Sequence, residues 1–184
     1  MPESADRIVG LALLDMAGGL TDLAKRLETA AQQLLKSSPL MSLILPGLSS
    51  EELQLIASRA LPGVALSRQV DVLLDDEELR IIANVLALTG TEFDASVENL
   101  LGPSRAYTRK RQYAMWVITQ RCMPQTWLLS DAARLFGCDH GQLGAARKLV
   151  NRLVGEDTEL AGALDNLFAR ARDAARRKPA GETA

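Results

Sequence analysis

The twenty residues from Leu129 to Lys148, LSDAARLFGCDHGQLGAARK, constrain this chain more than any other stretch, because they carry the small and apolar spacing of a helix-turn-helix. Ala133 stands where the first helix must be approached closely by the second. Gly137, four residues on, stands where the turn needs a positive φ, which glycine adopts without a Cβ penalty. Ala132, Phe136, Cys138, Leu143 and Ala146 supply the other positions that close two helices on one another. These seven positions agree with each other, and the competing reading is an ordinary helical hairpin.

The chain has 184 residues, of which 47% are hydrophobic, enough for one domain or two small ones to fold without staples. Its two cysteines, Cys122 and Cys138, fall in apolar helical contexts with no C-x-x-C spacing, so they read as core residues of a reduced, cytoplasmic protein. With His140 the only histidine, a zinc site lacks ligands, and neither a metal nor a cofactor is expected. No apolar run approaches the roughly 18 to 20 residues of a membrane span. Ile8 to Leu14 comes nearest, but it lies between Asp6 and Asp15 with no basic n-region, which argues against a signal peptide.

The net charge of −2 hides an asymmetry. Residues 1–102 hold 7 Lys/Arg against 15 Asp/Glu, a balance of −8, whereas residues 103–154 hold 9 against 2, a balance of +7. The remaining residues, 155–184, hold 5 against 6. Positive charge is therefore concentrated on the helix-turn-helix, where phosphate binding needs it, while the acidic part repels DNA and suits a protein partner or solubility alone.

Read in order, the chain predicts an all-α protein. After the short apolar piece ending at Gly18-Gly19, Leu20, Leu23, Leu27, Ala30 and Leu34 form one seam along a helix. That seam faces a core or, alternatively, a dimer or other partner. PLMSLILPGL, from Pro39 to Leu48, is apolar and irregular, either buried or a docking patch. Ser49 with Glu52 forms a capping box for a helix through Ala60 that Pro62-Gly63 ends. VALSRQVDVLL reads as strand or helix, with helix favoured by its surroundings. Asp75 with Glu78 opens the next helix, whose Leu79, Ile82 and Leu86 share a face and whose expected stop is Gly90. Phe93 to Leu101 forms a short helix, and Gly102-Pro103-Ser104 a loop. A helix from Thr108 to Cys122 follows, then the helix-turn-helix, then a last helix over about 159–172. The expected division is an acidic helical segment 1–75, a DNA-binding domain 76–172 and a flexible basic tail 173–184, in which Arg176, Arg177 and Lys178 touch phosphate without specificity.

From about Asp76 to Arg172, the pieces ENLLGPSR, RKRQYAMWV, LSDAARLFGCDH and LAGALDNLF follow one another in an order that resembles domain IV of the bacterial replication initiator DnaA. The resemblance covers just over half the chain and implies a Trp-repressor-like helix-turn-helix domain. It implies that Arg105 enters the minor groove, that Arg109 and Arg111 hold the DNA backbone, and that Asp139 and His140 open the recognition helix; Lys110 between the two arginines joins the expected DNA-contacting set. Independent physics agrees: arginine senses the narrow, negative minor groove of A·T-rich DNA, and aspartate caps a helix whose first amides face phosphate. Gly141, Gln142, Ala145, Arg147 and Lys148 complete the expected DNA-contacting set.

Departures from the family pattern matter as much. Gly141 and Gln142 stand where the family has two threonines, and Cys138 replaces a glycine and an arginine in a turn one residue shorter. Gln142 can pair bidentately with adenine, so a DnaA box is not the expected target. No G-x-x-x-x-G-K-[ST] loop occurs in the chain, so nucleotide-driven origin melting is not expected. A DNA-reading module joined to an acidic helical segment is similar to the phage-derived transcription activators of gene transfer agent clusters, the GafA and GafY type. The expected function is site-specific binding of double-stranded DNA in the nucleoid, regulating transcription, with activation through RNA polymerase or a sigma-like partner held by residues 1–75 and a homodimer as an option. Replication control by competition for origin DNA is the alternative. No paired carboxylates or nucleophile-histidine arrangement points to an enzyme.

Overall fold

Capping decides where several helices begin. Ser49 and Glu52 form the expected reciprocal box: the Ser49 amide donates to Glu52 Oε2 at 2.9 Å and the Glu52 amide to Ser49 Oγ at 3.1 Å. This starts α1, Ser50–Ala60. The stretch read as strand or helix is helical, α2, Leu66–Asp75. Buried Gln69 holds the turn between them by donating through Nε2 to the Leu61 and Val64 carbonyls, both at 3.0 Å. The next helix, α3, Glu77–Glu92, is capped by Asp76, not by Asp75: its Oδ1 accepts from the Glu78 and Leu79 amides. The computed structural model describes residues 48–103, 105–106 and 108–176. The expectations for residues 1–47, including the leucine seam and most of the apolar stretch from Pro39, and those for 177–184 lie outside the described residues.

Gly90 does not stop α3 but lies within it, and a Cβ there would stand 2.5 Å from the Ala95 carbonyl oxygen. The glycine therefore admits the chain as it turns back, with the Ala95 amide donating to the Gly90 carbonyl at 2.8 Å. The short helix α4 is confined to Val97–Leu101. Next come α5, Thr108–Val117, continuing through a π-helical turn at Ile118–Cys122, then α6, Leu129–Leu135, α7, His140–Glu156, and α8, Thr158–Arg176. All regular structure among the described residues is helical, in agreement with an all-α fold. No described helix is long and apolar enough to cross a membrane.

Around α3 the other helices assemble, and it is buried on all sides, from Leu79 to Gly90 with few exceptions. Such a helix is central, not amphipathic. It runs against α8 and also meets α1, α2, α4, α5 and the π-helical turn. Its interior polar groups are satisfied: Asn84 Nδ2 donates to the Ala171 carbonyl at 3.2 Å and Thr89 Oγ1 to the Val85 carbonyl at 2.7 Å.

The described residues fall in one compact unit, and both divisions expected from the sequence lie within it. At residue 75, Arg80 joins the two sides, donating to the Leu74 carbonyl at 2.5 Å and to the Ala175 carbonyl at 3.2 Å. At residue 172 the last helix simply continues. Ala175 is buried and Arg176 Nε donates to Glu77 Oε1 at 3.0 Å, because Ala171 and Ala175 extend the apolar spacing of α8 past the expected end. Residues 173–176 are therefore packed helix and not tail.

Cys122 makes one stability effect measurable. Burial pushes its thiol up to about 12. A thiol that ionises less readily when folded binds more protons than the unfolded chain between about pH 8.5 and 12, so stability is full below that window and falls through it, at up to about 1.4 kcal/mol per pH unit. Cys122→Ala is expected to flatten this alkaline loss in denaturant titrations at pH 8, 9 and 10. An unchanged slope would assign it elsewhere.

Candidate nucleic-acid interface

The turn between α6 and α7 is closed by backbone bonds that its sequence makes possible. The Cys138 amide donates to the Ala133 carbonyl and the Gly137 amide to the Arg134 carbonyl, both at 2.9 Å, with Gly137 at φ 57°. This is a Schellman closure, and it needs glycine at the left-handed position. Ala132, Ala133, Phe136, Leu143 and Ala146 are buried as the spacing predicts, while Cys138 is half-buried. Asp139 then caps α7, its Oδ1 accepting from the Gln142 amide at 2.7 Å.

Leu143, Ala146 and Val150 turn α7 inward. At about 100° per residue, the opposite face carries Gly141, Ala145, Lys148 and Arg152, all exposed. His140 and Gln142 are exposed to either side of that stripe. Arg152 was not singled out from the sequence, although it continues the helical spacing of Gly141, Ala145 and Lys148. Arg147 lies on the flank toward α5: with the Gln120 amide oriented to suit both groups, its oxygen accepts from Arg147 Nε and Nη2 at 2.6 Å. On the same flank Trp116 Nε1 donates to Asn151 Oδ1 at 2.6 Å.

The basic start of α5 divides. Arg105 and Arg109 are exposed, and the Arg105 carbonyl accepts from Thr108 Oγ1 at 2.8 Å. Lys110 instead donates through Nζ to the Asp94 carbonyl at 2.7 Å. Arg111 turns in and donates through Nη2 to the Phe136 carbonyl, leaving its Nε buried without a hydrogen-bond partner. Burial lowers its pKa below the usual guanidinium value; nearby Cys138 opposes the shift and Arg59 adds to it. Arg111 is thus part-buried against the end of α6, unlike the exposed Arg105 and Arg109 with which the sequence grouped it. The cause is the end of α6, whose last carbonyls attract positive charge.

A second arginine meets the same helix end. Arg59, from α1, donates through Nη1 to the Leu135 carbonyl at 3.2 Å and to the Leu101 carbonyl at 2.7 Å. No signal local to Arg59 distinguishes it from other half-buried helix arginines, so sequence reading passed it over. Burial raises the Cys138 thiol pKa; Arg111 opposes the shift and Asp139 adds to it.

The arrangement offers an exposed helix face, short at its start and cationic further on, entered through a capped turn, with Arg105 and Arg109 exposed on the preceding loop and helix. No protein-family model, curated protein or solved structure matches the chain.

Proposed function

We propose that this protein is a site-specific, double-stranded DNA-binding transcription regulator built on a DnaA domain IV-like helix-turn-helix, with α7 in the major groove and the Arg105 loop in the neighbouring minor groove. The observation that carries the reading is the exposed stripe Gly141, Ala145, Lys148 and Arg152 on a helix whose entry is held by an αL glycine and an aspartate cap. Gly141 and Ala145 let the helix backbone approach base edges and an alanine methyl meet a thymine methyl, while Lys148 and Arg152 reach phosphates. Gln142, at the edge of the stripe, supplies the adenine contact. Asp71, Asp75, Asp76, Glu77 and Glu78 form an exposed acidic run at the α2–α3 junction, unsuited to DNA and suited to a basic protein surface on RNA polymerase or a sigma-like subunit.

Selection from a random duplex library by the full chain, followed by mapping of its genomic sites, tests the reading. One enriched motif at promoters is expected. Gln142→Ala is expected to relax one or two base positions at a cost of about 1–3 kcal/mol. Arg109→Ala should weaken all sequences alike and reduce the salt slope by about 1. Failure to enrich any motif overturns the proposal.

A further inference from the structure

Arg59 lies on none of the surfaces assigned above, yet one of its nitrogens joins two of them. Nη1 stands 2.7 Å from the Leu101 carbonyl and 3.2 Å from the Leu135 carbonyl. Leu101 ends α4 and opens the loop that carries Arg105; Leu135 ends α6, the first helix of the helix-turn-helix. The same nitrogen would lie 3.3 Å from a Cβ at Gly137, so it rests directly on the turn. Arg111 grips the adjoining Phe136 carbonyl. Charge-assisted bonds to the carbonyl end of a helix are stronger than neutral ones and gain from the helix dipole. The stem of Arg59 is itself anchored, since α1 packs on α6 and α4.

We infer that Arg59 is a positioning residue that ties the Arg105 loop to the helix-turn-helix, so that the two DNA-contacting elements are held at one spacing before DNA arrives. The inference rests on the DNA reading proposed above. A protein that enters two grooves at once must otherwise order the loop against the helix on binding, and holding them together beforehand removes that entropic cost. On its own side of the bridge, the start of the loop is held by the Gly102 amide bonded to the Glu98 carbonyl at 2.7 Å, a bond within α4 that says nothing of the distance to α6.

The test is a double-mutant cycle in the full chain, on the duplex enriched from the random library. Arg59→Ala is expected to weaken specific binding about tenfold through lost pre-organisation. Arg105→Ala, costly in the unaltered protein, should cost little more once Arg59 is gone, because the loop has already lost its placement. Losses that multiply to within about twofold mean independent sites and overturn the role given to Arg59. Should Arg59→Ala fail to fold, Arg59→Lys, whose shorter reach weakens the bridge while keeping the charge, serves in the same cycle. Amide exchange at Gly137 and Cys138 gives a readout free of DNA. Acceleration in the variant is expected, and unchanged exchange overturns the clamp. A chain that enriches no sequence overturns the DNA reading itself, whereas one that enriches a site yet shows multiplied losses overturns only the coupling.

Discussion

Ala145→Glu is expected, on the proposed DNA reading, to reduce specific DNA binding about a hundredfold, because a carboxylate in the middle of the stripe would then face phosphate and base edges, and like charge across an interface costs several kcal/mol. Stability should barely change. Ala145 is exposed in mid-helix, where exchange for glutamate stays within roughly 0.5 kcal/mol. Ser67→Glu, on the exposed first turn of α2, adds the same charge away from the stripe and should bind within about twofold of the unaltered protein. Electrophoretic mobility shifts at physiological salt with the enriched duplex, beside thermal melts, separate the two outcomes. If Ala145→Glu binds as well as Ser67→Glu, the reading face has been placed on the wrong side of α7.

The second large effect is on stability. Phe136 is fully buried at the C-cap of α6, and Phe136→Ala is expected to cost about 3–5 kcal/mol, the range for emptying a packed aromatic site. For a unit of this size that lowers the melting temperature by roughly 10–15 °C. Residue 136 also presents the carbonyl that Arg111 grips, so loosening its side chain slackens the turn that seats α7. Phe93→Ala makes the comparison. Its ring is only half-buried against Tyr113, with centroids 5.1 Å apart, and should cost about 1 kcal/mol. Equal losses in chemical denaturation would show that residue 136 is not the keystone of the turn.

These two sites differ in how far they could be read from the chain. Phe136 and Ala145 both follow from helical spacing around Ala133 and Gly137, since the bonds closing that turn span no more than five residues. The caps at Ser49 and Asp139 are local in the same way, and both form as read. The π-helical turn at 118–122, the passage of α3 through Gly90 and the extension of α8 to Arg176 were not legible. Gly90 reads as a stop because only the way the chain turns back sets the Ala95 carbonyl beside it, and the spacing of Ala171 and Ala175 becomes packed helix where Glu77 meets Arg176 from 99 residues away.

The arginines mark the boundary most clearly. Composition placed a basic cluster at 105–111 without distinguishing its members, because any arginine on a helix end reads alike. Packing sorts them: Arg105 and Arg109 remain exposed, Lys110 reaches the Asp94 carbonyl, and Arg111 is drawn to the end of α6. By itself the sequence determined the helical class, the glycine turn and the capped start of α7, all set by steric and hydrogen-bonding preferences within one or two turns of chain. Only the tertiary structure decided which cations face outward and that α1 braces the turn between α6 and α7. Arg59 meets its carbonyl partner 76 residues away, a contact that folding brings together and periodicity does not encode.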